Sequence, residues 1–416
     1  MMFNYEINIP QMLITVKKET DTLGYVAIDS PFGGRSHGGL RMQPDVDVEE
    51  ISSLARSMTL KYGFLGLPHG GAKAGIRYEP EAPQEARKER LKEFGRAIAP
   101  LILNGVYFPA PDMGTSNDDI RFMLKSIGAP IKRRELLDIP SGYYTALSVF
   151  AAAKTTADFL NLELSNCSVA IEGFGKVGGE LANLFARANT RIVAVSTSKG
   201  AIFNPKGLDI KRLKTLSREA GSHMVTLYKD AEQIKNSELL ELPVDILCPC
   251  ARHNTIRADN ADKIMARFIC SGANNPVTYE ADELLFRKGI LCLPDFVTNC
   301  GGALGGTMEF ASVDRKTISD FIEKQIGIRI LWLLKRAREE NLLPRDIALH
   351  LTLKNLERIR KQVNNSRLYK RLFEAGLELY RRGWIPGSIV ARLSLGYFES
   401  SIVSPEDLWY KEIKIG

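Results

Sequence analysis

Cys167-Ser168-Val169-Ala170-Ile171-Glu172-Gly173-Phe174-Gly175-Lys176-Val177-Gly178 is the stretch whose reading decides the fold. Its first residues form a run of the kind that fills a buried strand, and Gly-x-Gly-x-x-Gly follows without a break. Glu180 to Ala188 then has helical spacing and Arg191 to Val195 reads as a second strand, so the segment is one βαβ unit. Glycines at these places allow a tight turn and let a pyrophosphate approach a helix N-terminus, whose unpaired amides and dipole favour an anion. A glycine-rich packing turn is the alternative for an isolated match, but a strand before and a helix after make this a dinucleotide site. A carboxylate about 20 residues onward would bind both ribose hydroxyls of NAD. The strand instead runs into Ser196, Thr197, Ser198 and Lys199, and hydroxyls beside a lysine suit a 2′-phosphate. The cofactor is therefore NAD or NADP, with a lean to NADP from Thr197.

Downstream, Val244 to Cys248, Phe268 to Ser271 and Ile290 to Leu293 read as further strands alternating with helices, as a parallel sheet requires. Upstream, the composition changes around Ile139 to Thr145, where an alanine-rich helix from Tyr143 to Leu160 begins, and this marks a domain boundary. Before it lie short alternating runs (Leu13, Ile14, Val16; Tyr25 to Ile28), then three helices: Val48 to Tyr62, Gln84 to Leu103, and Asn117 to Ile127 capped by Ser116 or Asn117. Lys61 falls at the end of the first.

The chain has 416 residues, 44% of them hydrophobic, enough for two domains. A net charge of +7 over 56 basic and 49 acidic side chains suits small anionic ligands rather than nucleic acid. Apolar runs such as Ile98 to Leu103 fall short of the roughly 20 residues of a membrane span, and Met1 to Pro10 lacks a targeting pattern, so a cytoplasmic protein is expected. The six cysteines are scattered through apolar segments and read as reduced core residues. Cys248, Cys250 and His253 lie close in sequence, but a second ligand cluster is missing, so no metal is expected. The basic run Lys354, Arg358, Arg360, Lys361, Arg367, Lys370 and Arg371 reads as a solvated face or subunit rim.

Two glycine-flanked segments carry chemistry: Gly70-Gly71-Ala72-Lys73-Ala74-Gly75-Ile76 and Pro109-Ala110-Pro111-Asp112-Met113-Gly114-Thr115. Both read as loops, one enclosing a lysine and the other presenting a carboxylate, the pair that proton transfer on an amine or carbonyl needs. A lysine base working near neutrality must fall roughly 2 to 3 units below 10.4, which desolvation and repulsion from Lys61 would supply.

Taken together, these elements resemble the amino acid dehydrogenase superfamily acting on glutamate, leucine, phenylalanine or valine, overall nearest its glutamate branch. The likeness runs from about Gly34 to Trp384 and rests on Gly38-Gly39-Leu40-Arg41, Met58-Thr59-Leu60-Lys61, the Lys73 and Asp112 segments, Gly173 to Gly178, Gly272-Ala273-Asn274, Pro294-Asp295-Phe296 and Asn299-Cys300-Gly301-Gly302. The resemblance implies an α/β protein of two domains with the active site in the cleft between them. A substrate-binding and oligomerisation domain spans 1–138, completed by C-terminal helices over 366–416, and a Rossmann-like, doubly wound parallel-sheet NAD(P)-binding domain spans 139–365. It implies reversible NAD(P)-dependent oxidative deamination of an L-amino acid to a 2-oxo acid and ammonium, in a homo-oligomer, a hexamer. Carried over by position, Lys73 activates water, Asp112 shuttles protons and Lys61 holds the α-carboxylate, beside His37, Gly38 and Gly39. Ser141 is placed at the nicotinamide amide, and Asn274 and Asn299 at the cofactor, with turn or capping roles open for all three.

Three positions depart from the pattern. Glutamate-specific members carry a lysine where this chain has His37 and a serine where it has Gly306, and Tyr144 replaces a glycine, where it is expected to narrow the nicotinamide end of the cleft. Glutamate is the default substrate by overall likeness, without its side-chain-recognising groups. The alternative is a catalytically weak paralogue acting as a nucleotide-sensing or regulatory subunit.

Overall fold

The computed structural model describes residues 10–31, 35–130, 139–364, 376, 379, 380, 382–402 and 404–410. Gly34, Arg367, Lys370, Arg371 and much of 366–416 therefore lie outside the described residues. The chain divides into two units, Met1–Ile139 with Met308–Val313 and Thr352–Val403, and Pro140–Thr307 with Asp314–Leu351 and Ser404–Gly416.

In the first unit, strands β1 (Met12–Lys18), β2 (Asp21–Ile28), β3 (Ser36–Gln43), β4 (Gly70–Arg77) and β5 (Tyr107–Pro111) form a sheet in the order β1-β2-β4-β3-β5. β1, β2 and β4 pair antiparallel, while β4, β3 and β5 run parallel. The helices are α1 (Val48–Leu65), α2 (Gln84–Leu103) and α3 (Asn117–Ser126). Leu40, Met42, Ala72, Ala74 and Ile76 face Leu91, Phe94, Ile98, Ile120 and Met123 of α2 and α3 in one core. On the opposite face Ala27 packs with Val46, Ile51 and Ala55, so α1 covers that side.

Lys73 thus sits on a central strand, not in the expected loop, and Asp112 directly follows an edge strand. The period-two alternation was hidden because small residues occupy both faces of β4. A Cβ on Gly71 would lie 2.3 Å from the Thr59 backbone nitrogen and one on Gly75 2.5 Å from Val46, so these glycines let α1 press against the sheet. α1 is capped by Asp47, whose side chain accepts from the Glu50 N–H, and ends at Gly66 with φ 73°. It runs past Tyr62 to Leu65, which places Lys61 inside the helix and buried rather than at an exposed end.

The second unit is built on α4 (Ser141–Phe159), β6 (Ser168–Glu172), α5 (Lys176–Arg187), β7 (Arg191–Thr197), β8 (Gly200–Phe203), β9 (Glu232–Ile234), β10 (Ile246–Pro249), β11 (Phe268–Cys270) and β12 (Leu291–Leu293). The sheet order is β12-β11-β10-β6-β7-β8-β9, parallel from β12 to β7 with an antiparallel edge that the sequence did not announce. The chain leaves β6 on one side to β7 and later returns on the other to β10, which makes the gap between β6 and β10 the topological switch point, where such sheets bind ligands.

Candidate active site

The α1 face of the first sheet gathers the reactive groups. Alternation along β3 puts His37, Gly39 and Arg41 on one side, with Ser36, Gly38, Leu40 and Met42 buried on the other. A Cβ on Gly39 would lie 2.8 Å from that of Asp112 and 3.2 Å from Lys73 Nζ, so this glycine leaves the room in which the two meet. Lys73 Nζ lies 2.7 Å from Asp112 Oδ2, Arg41 Nε lies 3.1 Å from the same oxygen, and the Arg41 guanidinium also bonds Glu50 in the first turn of α1. Gly38 is fixed for another reason: a Cβ there would strike the Ala72 carbonyl at 1.6 Å.

Asp112 is held by its own turn. Its N–H donates to Thr115 Oγ1 at 2.9 Å, and that hydroxyl donates to the Leu40 carbonyl at 2.7 Å. Gly114, at φ +78°, passes so close to Met42 that a Cβ would lie 2.0 Å from its carbonyl oxygen.

Electrostatics divide the pair. Burial lowers the Lys73 pKa against the pull of Asp112, and Arg41 adds the cationic push that the sequence reading sought from Lys61. Burial alone would raise Asp112, but the charges of Lys73 and Arg41 outweigh it and hold the carboxyl well below its ordinary range.

Beside them lies a group of rings. His37 stacks on Phe108 with centroids 4.9 Å apart and 15° between planes, and meets His69 edge-on at 4.9 Å. Tyr62 stands 5.1 Å from His69 and 6.5 Å from His37. Sequence reading missed Tyr62, His69 and Phe108; the available signal was the parity of Phe108 with Asp112 and the place of His69 just before Gly70-Gly71.

In the second unit, Gly173 turns at φ +93° and a Cβ on Gly178 would lie 1.8 Å from the Gly173 carbonyl oxygen, whereas a Cβ on Gly175 would meet nothing within 4 Å. Gly175 caps α5 without a side-chain bond, so the amides of Lys176, Val177 and Gly178 begin the helix beside open space, which fits a pyrophosphate. Phe174 is buried with its N–H on the Ser196 carbonyl. A Cβ on Gly142 would stand 3.0 Å from the Lys176 carbonyl oxygen, which brings Ser141, at the start of α4, to this loop. Asn299 donates to the Ala273 carbonyl at 2.8 Å and to Asn274 Oδ1 at 3.1 Å, while its buried Oδ1 has no partner among the described residues and can take a donor from a ligand.

Thr197 is less open than its sequence suggests. Its hydroxyl donates to the Ser222 carbonyl at 2.7 Å and accepts the Lys199 N–H at 3.1 Å, and Ser196 Oγ accepts the Gly173 N–H at 2.9 Å. Tyr144, expected at the nicotinamide, is fully buried against Gly305, where a Cβ would lie 2.4 Å from its ring; the glycine makes room for it in the core. Glu172, which sequence reading passed over, ends β6 at the switch point. It is 8% exposed, its Oε2 has no partner among the described residues, and burial raises its pKa to about 7.

Among the described residues no group of three or more His, Cys, Asp or Glu is placed to hold a metal, and no helix is long and apolar enough to cross a membrane.

Residues 141–325 match the family model described as Glutamate/Leucine/Phenylalanine/Valine dehydrogenase, and residues 8–128 match Glu/Leu/Phe/Val dehydrogenase, dimerisation domain. A glutamate dehydrogenase of Thermotoga maritima is 37% identical over 295 residues, covering 67% of this chain and 70% of that protein. The NAD-specific glutamate dehydrogenase of Staphylococcus aureus is 35% identical over 308 residues, 70% of this chain and 74% of that one. Among solved structures, a hetero-hexameric glutamate dehydrogenase from Thermus thermophilus in a leucine-bound form shares the fold, with a TM-score of 0.71 at 23% identity over 85% of this chain and 89% of that one.

Proposed function

The chain belongs to the Glu/Leu/Phe/Val dehydrogenase family, and on that footing we propose that Lys73 and Asp112 carry the NAD(P)-dependent oxidative deamination of an L-amino acid that it catalyses. The ion pair of buried Lys73 with half-buried Asp112, 2.7 Å apart, is the observation that supports this most. Lys73, with its pKa lowered by burial, activates the water that attacks the substrate imine, and Asp112 carries protons to and from the amine nitrogen. Lys61, buried in α1, holds the α-carboxylate by charge-assisted hydrogen bonds. NAD(P), when bound, supplies the electron acceptor. Gly173, Gly175 and Gly178 shape its pyrophosphate cradle, and Ser141, Asn274 and Asn299 are assigned to orient its nicotinamide end.

The finer choices follow from single residues. The absence of a carboxylate at Thr197 supports NADP, with Lys199 on the same turn; the NAD specificity of the Staphylococcus aureus relative supports the other choice. Relatives support glutamate as substrate. The stacked His37 and Phe108, with His69 and Tyr62, favour a second reading, a planar uncharged side chain, because rings offer faces and edges where the family lysine offers a charge. The chain forms an oligomer, as its dimerisation-domain match supports; we assign a homo-oligomer and a cytoplasmic setting.

The test is a reductive-amination screen with ammonium, NADH or NADPH, and a panel of 2-oxo acids that includes 2-oxoglutarate and aromatic members. Turnover is expected with one class. Silence across the panel with dinucleotide binding intact would overturn the catalytic reading in favour of a regulatory subunit.

A further inference from the structure

Two charges of the buried cluster have no role in this scheme. Arg41 comes from β3 and Glu50 from α1, with side chains 11% and 10% exposed. Arg41 Nε and Lys73 Nζ both make their closest approach to the same carboxylate oxygen, Asp112 Oδ2, at 3.1 and 2.7 Å. The far side of the guanidinium is tied to Glu50.

We propose that Arg41, anchored by Glu50, is a positioning residue that pins the Asp112 carboxylate through Oδ2 and presents Oδ1 as the oxygen that exchanges protons with the substrate amine. A carboxylate whose one oxygen accepts two charge-assisted bonds cannot rotate without breaking them. The planar guanidinium suits the task because it can hold two carboxylates at once, which an ammonium cannot do in a fixed geometry. When Lys73 gives up its proton or its ion pair, Arg41 still compensates the half-buried charge of Asp112, so the acid and base roles stay separate.

The groups facing this cluster are Lys73 from β4, Asp112 after β5, Arg41 from β3, Glu50 from α1, and the Tyr107 phenol from β5, whose pKa is raised by burial and by the Asp112 charge. The two proposed positioning charges act on Lys73 with opposite sign: Arg41 lowers its pKa and Glu50 raises it. Removing Arg41 therefore moves the ascending limb of the pH–rate profile to higher pH, and removing Glu50 moves it to lower pH.

This inference rests on Lys73 and Asp112 being the catalytic pair, so the experiment includes both. Profiles of kcat and kcat/KM against pH are recorded for the wild type, Arg41→Gln, Arg41→Lys, Glu50→Gln, Lys73→Ala and Asp112→Asn on the best substrate of the screen, with thermal melts as the check on folding. Arg41→Gln is expected to lose about 10²-fold in kcat with KM changed less than about threefold, the mark of an effect on the reacting groups rather than on ground-state binding. Arg41→Lys should recover only part of the loss, and the limbs of Arg41→Gln and Glu50→Gln should move in opposite directions. Limbs that stay put or move together, with Lys73→Ala and Asp112→Asn inactive, would overturn the role of Arg41 alone. Near-normal rates in Lys73→Ala or Asp112→Asn would overturn the catalytic assignment and this inference with it. Should Arg41→Gln fail to fold, Glu50→Gln carries the sign test by itself: an upward shift overturns the proposal.

Discussion

Glu172 shows how much a single residue can hold that its neighbours in sequence conceal. In the Gly-x-Gly context it reads as the last residue of a strand, yet at 8% exposure its carboxyl keeps one oxygen without a partner among the described residues, and burial raises its pKa from 4.5 to about 7. Between those values the folded chain holds a proton that the unfolded chain has released, so stability falls as pH rises through this window. Above it the cost is on the order of 3 kcal/mol at ~1.36 kcal/mol per unit. Glu172→Gln should therefore raise the melting temperature by several degrees near pH 8 and leave it almost unchanged near pH 5; equal effects at both would contradict this reading of the buried carboxyl. Thr197→Asp would put a carboxylate at the end of β7, and the ratio of kcat/KM for NADP over NAD should fall at least about tenfold, since a carboxylate repels a 2′-phosphate and binds ribose hydroxyls. Lys73 and Asp112 were legible because their residue types and glycine-rich company announce chemistry. The Arg41–Glu50 tie and the His37–Phe108 stack were not, because partners 9 positions apart meet only when α1 packs on the sheet and partners 71 positions apart only through strand register.

At the scale of elements, legibility followed the periodicity of bulky side chains. Gln84–Leu103 stands with the bounds its spacing gave, and β6, β7, β10, β11 and β12 lie within two residues of their apolar runs. β3 and β4 went unread as strands because glycine is depleted in strands, and here it serves close approach instead. Two glycine substitutions separate the roles of that residue. Gly71→Ala places a methyl 2.3 Å from the Thr59 nitrogen in a fixed helix-to-sheet contact, and a loss of about 2 kcal/mol or more in stability is expected from denaturant unfolding. Gly175→Ala meets nothing within 4 Å, so it should melt like the wild type while its NADPH dissociation constant, read by fluorescence titration, rises at least about tenfold, because the methyl takes the space of the pyrophosphate. Normal dinucleotide affinity in Gly175→Ala would contradict the cradle.

For the whole molecule, the βαβ reading and the change of composition near Ile139 gave the α/β class and two sheets, and the second sheet does carry the parallel order that the first strand–turn–helix unit implied. The resemblance implied a return of the C-terminal helices to the first domain; what stayed hidden is the visit of Met308–Val313 to the first unit and a return that begins already at Thr352, because helical spacing says which face is apolar and not which neighbour covers it. Assembly belongs to this scale too: a homo-oligomer should form from this chain alone, read as a single species by mass measurement in solution. Chain that remains monomeric until a different subunit is added would point to the hetero-oligomeric arrangement. The central claim is that the Lys73–Asp112 pair performs amine chemistry, and its most direct test is the steady-state rate of ammonium-dependent reductive amination by the wild type and by Lys73→Ala, each with its melting curve. A loss of more than about 10³-fold in the variant, with folding and dinucleotide binding retained, is the expected result; a variant that turns over at near the wild-type rate would contradict the account.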